Sequence, residues 1–263
     1  MTPVEVAEGD GPVILGLPHT GTWLPDEIRA ALNDRGQGLA DTDWHVHRLY
    51  DGLLPGATTV RATFHRYAVD ANRGPDNASL YPGRNTTGLV PLTDFDGQPI
   101  WTVAPTADDI AKRTARFHVP YHAALSAQID RVRARHGVAI LYDCHSIRSR
   151  IPFLFDGILP DFNIGTAGGN TCDPRIQSAV EAICHATGRT MAVNGRFKGG
   201  WTTRHHGRPQ DGVHAIQMEL AQSTHLAAET PPFALDDAKA AALRPVLARI
   251  LRTLADLAPD LKG

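Results

Sequence analysis

Short apolar runs along this chain alternate with longer stretches of helical period, a pattern that predicts strands connected through helices. Residues 12–17 form an apolar run broken only by Gly16, which suits a buried strand ending at Pro18, His19 and Gly21. A helix is expected to start near Pro25, with Asp26 and Glu27 in its first turn. A second is expected over residues 42–54, where Trp44, Val46, Leu49 and Leu53 recur at helical spacing. Residues 58–65 alternate and are rich in β-formers, and residues 67–70 read as a continuation or a partner strand before the turn at Arg73, Gly74 and Pro75. Residues 72–97 are rich in Gly, Pro, Asn and Asp, and a loop that long within a compact domain points to function.

Farther on, residues 108–136 carry a helical pattern interrupted at Pro120 and stopped by Gly137. A strand over 138–142 follows, then a loop over 143–150 ahead of the apolar run 153–155. An amphipathic helix over 174–186, a short strand over 191–193 and a loop over 194–212, dense in Gly, Arg and His, come next. Residues 213–220 alternate as a strand, and an Ala- and Leu-rich helix over 238–257 closes the chain. Strands alternating with helices predict a three-layer α/β/α sandwich, read as one domain spanning residues 1–263.

Composition narrows the class. A formal net charge of −2 offers no basic field for nucleic acid or an acidic membrane surface, so any charge selectivity is local. No run reaches membrane-spanning length without charges, and the N-terminus lacks the cationic start and long apolar run of a signal peptide. Cys144, Cys172 and Cys184 form neither CxxC spacing nor an even set, which argues against a disulfide framework and suits a cytoplasmic protein. Thirteen histidines against those three cysteines tilt any metal site toward imidazole and carboxylate ligands.

Four groups fall at or just after the carboxyl ends of predicted elements: His19, Asp43, His145 and Glu219. Ligands of open α/β sheets bind in the crevice beyond those ends, so His19, His145 and Glu219 can converge there. A catalytic zinc site needs neutral imidazoles, a carboxylate, an open position and a nearby proton acceptor, and these residues can supply each part. Glu219 stands in an otherwise apolar alternating strand, where a carboxylate is costly to bury without a partner.

The strings VILGLPHTG, DTDWHVHRLYD, YAVDANRGPDNASLYPG, LYDCHSIRSRIPFLFDG, FNIGTAGG, VNGRFKGGWTTRHHGRP and GVHAIQMELAQSTH together resemble the N-formylglutamate amidohydrolases, over nearly all of residues 13–225. The resemblance implies the fold of zinc carboxypeptidases (phosphorylase/hydrolase-like) with a mixed central sheet, and one bound Zn2+. It also implies hydrolysis of the formamide of N-formyl-L-glutamate, as in histidine degradation. Carboxypeptidases carry a glutamate three residues after the first histidine, where this chain has Thr22, so the carboxylate ligand must come from elsewhere, and the DTDW segment offers Asp41 and Asp43. Asp43 is chosen over Asp41, because it would lie inside a helix start that fixes its orientation, whereas Asp41 suits an N-cap. With His19 and His145 it completes a ligand set in which two of three donors are nitrogen, favouring zinc over magnesium. Asp143 can orient His145 from behind.

Glu219 is then expected to act as general base, then acid. An acidic N-formyl amino acid carries two carboxylates, each matched by the planar fork of an arginine. Asn72 and Arg73, in VDANR, resemble the carboxypeptidase segment that grips an α-carboxylate. Arg196 and Arg204 are candidates for the side-chain carboxylate or the oxyanion, and Arg148 is a further one. Near His206 the family more usually has tyrosine, which bears on substrate preference. Three rival readings stand beside this: a deacylase of another acidic N-acyl amino acid, a non-catalytic binder of acidic metabolites, and a hydrolase with Cys144 as nucleophile. The last is disfavoured because adjacent residues of an extended stretch, Cys144 and His145, point to opposite faces.

Overall fold

The computed structural model describes residues 2–79 and 83–261; residues 80–82, within the predicted loop 72–97, lie outside the described residues. Seven strands form one mixed sheet: β1 (Val4–Ala7), β2 (Val13–Leu17), β3 (Thr58–Ala62), β4 (Ala139–Ile147), β5 (Phe162–Gly165), β6 (Met191–Val193) and β7 (Val213–Ala221). Their order is β1-β3-β2-β4-β7-β5-β6. The four central strands β3, β2, β4 and β7 run parallel, β1 and β5 pair antiparallel with β3 and β7, and β6 runs parallel to β5. The helices are α1 (Asp26–Ala31), α2 (Asp34–Gln37), α3 (Val46–Tyr50), α4 (Ala107–Arg113), α5 (Val119–His136), α6 (Pro174–His185), α7 (Trp201–His206) and α8 (Asp237–Leu257).

Period-two alternation sorts the strand residues into two cores. Ile140, Tyr142 and Cys144 of β4 and Ile216, Met218 and Leu220 of β7 pack with Leu49 of α3, Ile176 and Val180 of α6, and Leu247 and Leu251 of α8. Ala139 and Leu141, with Ala215, face the other way onto Tyr121, Leu125 and Ile129 of α5. Helices therefore cover both faces, the three-layer arrangement expected of central parallel strands buried on both sides. On the α5 face the apolar series stops at Leu141 and Ala215, and the next same-side positions are Asp143 and His145 on β4 and Gln217 and Glu219 on β7. Among the described residues, no helix is long and apolar enough to cross a membrane.

Several boundaries differ from the sequence reading. The predicted strand 138–142 continues to Ile147, because β7 pairs with it through Ile147↔Ala221 and every residue of β4 is buried. Asp143 and His145 thus sit on a strand and not in a loop. The predicted helix 42–54 shrinks to α3, since His45 ahead of it adopts φ 61° and breaks the helical path. Residues 67–70 form a turn and not a strand, while β1, β5, α2 and α7 had no reading. Around Pro120, α4 and α5 join through a π-helical turn, Thr114–His118, whose wider winding accommodates a proline that cannot donate to the carbonyl of Arg116. Gly137, at φ 74°, ends α5 in the left-handed conformation that glycine adopts without penalty.

Candidate metal centre and substrate cleft

His19, Asp43 and His145 come together beyond the carboxyl ends of the central strands, each buried, with one ligand atom apiece within 4.8 Å of the others. His19 follows β2 by two residues; its carbonyl accepts from the Asp43 backbone N–H at 3.0 Å and so draws the turn before α3 to the site. That turn, and not a helix start, orients Asp43. His145 is the seventh residue of β4. Asp41 lies apart from the cluster: its Oδ2 accepts from Tyr67 Oη at 2.9 Å and Phe95 N at 3.0 Å, and it caps no helix.

The two imidazoles share one orientation. His19 Nδ1 and His145 Nδ1 face Asp43 Oδ2 at 3.8 and 3.2 Å. Their Nε2 atoms face carboxylates behind them, Asp70 Oδ1 at 2.8 Å and Asp143 Oδ1 at 3.1 Å. At His19, a ring N–H aimed at Asp70 Oδ1 leaves the Nδ1 lone pair on the shared side, the arrangement of metal-ligating histidines; at His145, Nε2 stands between Asp143 Oδ1 and Asn72 Nδ2, the latter at 3.3 Å. Asp43 Oδ1 is buried without a hydrogen-bond partner among the described residues. Two nitrogen lone pairs and a carboxylate converging in a dry site require positive charge between or upon them. The set of two nitrogens and one oxygen fits a borderline divalent ion such as zinc.

The electrostatics agree. Burial would lower the His145 pKa, but Asp143 and Asp43 override it and push that pKa well above the usual histidine range. Burial and the Arg66 guanidinium hold His19 below that range. Burial opposes ionisation of Asp70, yet Arg66 and His19 keep its pKa well below the ordinary carboxylate value. Glu219 lies opposite His145 in the β4–β7 register, and burial pushes its pKa up to about 8. It is the one carboxylate of the cleft besides Asp43. Cys144 faces the other core, away from the cleft, and burial raises its thiol pKa well above the ordinary value, which disfavours the thiolate a nucleophile needs.

Arg66 had no place in the sequence reading. Its Nη2 lies 3.0 Å from Asp70 Oδ2 and 3.0 and 3.1 Å from the two ring nitrogens of His19, and its guanidinium stands over Phe95 at 4.8 Å. The string FHRY gave no period or motif to single it out; Asp70 beneath His19 does lie in the VDANR segment, but that resemblance pointed to Asn72 and Arg73 alone.

The cleft is lined by His19, Asp43, His145 and Glu219 together with Asn72, Arg73 and Arg196, and by the apolar side chains of Phe95, Ile147, Leu154 and Phe197. Asn72 Oδ1 accepts from Thr202 N at 2.9 Å, which turns Nδ2 toward His145. Arg73 donates through Nε to Thr87 O at 2.8 Å and through Nη2 to the Thr86 and Thr87 hydroxyls, both at 3.2 Å. Arg196 binds Leu154 O and Asn85 O, both at 2.9 Å, and so joins two loops at the mouth. Arg204 does not line the cleft; its Nε donates to Gly199 O at 2.9 Å. Arg148 is also absent from the lining and lies 3.0 Å from Asp96. His206 is buried against His122, with ring centroids 5.5 Å apart, and does not line the cleft either.

Comparison with known proteins gives a consistent picture. The model of the family described as N-formylglutamate amidohydrolase matches residues 11–226. The N-formylglutamate deformylase of Pseudomonas aeruginosa is 45% identical over 250 residues, covering 94% of this chain and 93% of that protein. That of Pseudomonas putida is 43% identical over 251 residues, with 94% and 93% covered. Among solved structures, N-formylglutamate amidohydrolase from Ralstonia eutropha JMP134 superposes with a TM-score of 0.84 at 26% identity, covering 98% of both chains.

Proposed function

The chain belongs to the N-formylglutamate amidohydrolase family, and from that membership and the geometry of the site we propose that it hydrolyses N-formyl-L-glutamate to formate and L-glutamate. The observation that carries the reading is the convergence of His19, Asp43 and His145, one ligand atom apiece within 4.8 Å of the others, with Glu219 on the adjoining strand. In this reading His19, Asp43 and His145 hold one zinc ion, which supplies Lewis acidity that polarises a carbonyl and acidifies water.

Glu219 carries the proton traffic. As water adds to the formyl carbon, its carboxylate takes the departing proton, and it returns that proton to the amide nitrogen as the C–N bond breaks. Formic acid leaves with the oxygen and the second proton of the water, glutamate leaves with a neutral amine, and the acid then ionises to formate by passing that proton to the amine or to solvent; no covalent enzyme intermediate forms. Burial favours the protonated form that donates in the second half of the cycle, while the positive charge of Arg66 favours the ionised form that accepts in the first. Arg66, already beside His19, is placed to offer an N–H to the oxygen that gains charge in the tetrahedral intermediate.

Two basic positions flank the apolar wall of the cleft, which matches a substrate with two carboxylates joined by methylenes. Asn72, whose Nδ2 lies 3.3 Å from His145 Nε2, and its neighbour Arg73 take the α-carboxylate, and Arg196 the side-chain carboxylate. The test is formate release from a panel of N-formyl amino acids by protein of measured metal content. N-formylglutamate should be the best substrate, and activity should follow zinc occupancy. Formate release that is indifferent to metal removal would reject the metal-dependent mechanism, and preference for an uncharged side chain would reject the assignment of Arg196.

A further inference from the structure

Gln217 lies two residues before Glu219 on β7, on the same face, opposite Asp143 of β4 and Gly165 of β5. It is buried and lines the cleft. Its amide has two partners that fix its orientation. Gly200 N donates to Gln217 Oε1 at 2.7 Å, and a backbone N–H can only donate, so Oε1 must face it. Nε2 then faces Glu219 Oε2 at 3.1 Å, where a donor meets a carboxylate oxygen. Reversing the amide would set donor against donor at one end and acceptor against acceptor at the other. Among the described residues, Glu219 Oε2 is thus hydrogen-bonded, and no hydrogen bond is recorded to Oε1.

The contact to Gly200 is itself constrained. A Cβ at Gly200 would come within 2.2 Å of Asn72 Nδ2, so the chain passes against the Asn72 side chain at a distance only glycine permits. That approach brings the Gly200 N–H onto Gln217 and ends the segment 194–200, which carries Arg196 and Phe197 along the cleft.

Resting on the reading of Glu219 as the base, we infer that Gln217 is its positioning residue. Its Nε2–H holds Oε2 and leaves Oε1 as the oxygen that takes and returns the proton, and its Oε1 ties that carboxylate to the loop bearing the substrate-facing Arg196. A carboxylate free to rotate would present its two oxygens by turns and spend part of its time out of line with the reacting atoms, which costs rate and not binding.

The test compares Gln217→Glu and Gln217→Met with Glu219→Gln in the zinc-loaded enzyme. Gln217→Glu keeps an acceptor for Gly200 N–H but replaces the donor facing Glu219 with an acceptor. Gln217→Met removes both contacts at similar volume. Both should retain zinc while kcat falls roughly ten- to a hundredfold, the effect of one hydrogen bond to a charged group; KM should stay within about twofold in Gln217→Glu, which keeps the Gly200 anchor, and rise in Gln217→Met, which loses it. Normal kcat in Gln217→Glu alongside an impaired Gln217→Met would show that only the anchor to Gly200 matters and overturn the inference. Normal kcat in both would overturn it as well; if Gln217→Met fails to fold, the kcat of Gln217→Glu decides, and if Gln217→Glu fails to fold, a raised KM with normal kcat in Gln217→Met overturns the inference and a lowered kcat supports it. Glu219→Gln separates the two readings: if it turns over normally, the base assignment falls and takes this inference with it. If it is inactive while Gln217→Glu is unimpaired, only the role of Gln217 falls.

Discussion

Glu219 and His145 are directly opposite each other across the parallel ladder of β4 and β7, on the face where the apolar layer under α5 gives out. The pairing rigidly sets a proposed proton carrier beside a proposed metal ligand, since both side chains leave hydrogen-bonded strands and not loops. Replacing Glu219 by Gln keeps size and most hydrogen bonding but removes the base. Zinc content should be unchanged and turnover should fall about a hundredfold or more. Near-normal turnover would move the base elsewhere.

The ligand set is tested by metal content. His19→Ala and His145→Ala should each lose bound zinc together with activity, because one of three protein ligands is gone. Asp43→Asn should do the same, whereas Asp41→Asn, which alters the contacts to Tyr67 and Phe95, should keep its metal. Asp70→Asn weakens the orientation of His19 without removing a ligand, and about a ten- to hundredfold loss of zinc affinity is expected. Full occupancy in Asp43→Asn with loss in Asp41→Asn would reverse the assignment.

Chelation and thiol modification should have opposite results. The Cys144 thiol is packed among Ile140, Tyr142 and Met218 on the far side of the sheet. A chelator should abolish formate release, and iodoacetamide applied to the folded enzyme should leave it intact. Inactivation by iodoacetamide that tracks labelling of Cys144 would restore the thiol as a nucleophile.

Arg73→Lys keeps the charge but loses the guanidinium, whose Nε, Nη1 and Nη2 donate to Thr87 O, Asn72 O and the Thr86 and Thr87 hydroxyls and leave a remaining Nη1–H for the carboxylate. With Nε and Nη2 engaged on Thr86 and Thr87, the fork also shapes the loop it holds, which lysine cannot do. A loss of roughly ten- to a hundredfold in kcat/KM is expected for an N-formyl amino acid. Amidating the substrate α-carboxylate should hurt the wild type far more than the variant. Equal discrimination by both would show that Arg73 does not grip that carboxylate.

Stability should fall on mild acidification. Burial lowers the pKa of His122 to about 2, of His206 to about 3 and of His225 to about 4, against about 6.5 in an unfolded chain. Each is neutral in the fold, so the unfolded state binds the extra protons below pH 6.5. Their stabilisation is complete above that pH and is lost as pH falls toward the folded values. The ceiling is on the order of 1 kcal/mol per pH unit for each histidine. Urea unfolding at pH 7.5 and pH 5.5 should show the loss, and His206→Gln should lessen it. A pH-independent midpoint would contradict the burial of these rings as neutral groups.

Much of this was legible in the sequence because it depends on local period. The strand at 12–17, the helix at 174–186 and the closing helix each follow from which residues repeat on one face, and the structure places them within a residue or two of that reading. His19, Asp43, His145 and Glu219 could be chosen because motif blocks and strand ends marked them. Tertiary structure decided the rest. Cross-strand pairing with β7 extended β4 through His145, and a backbone bond to His19 selected Asp43 over Asp41. Arg66, Asp70 and Gln217 acquired their places only from partners on other segments or from the fixed amide of a distant glycine. Arg204, promising as an arginine in a glycine-rich loop, was turned onto its own backbone by α7. A sequence records which side chains exist and on which face of a local element they fall. Which of them meet is set by hydrogen bonds and packing between residues far apart in the chain, and those distances have no local signature.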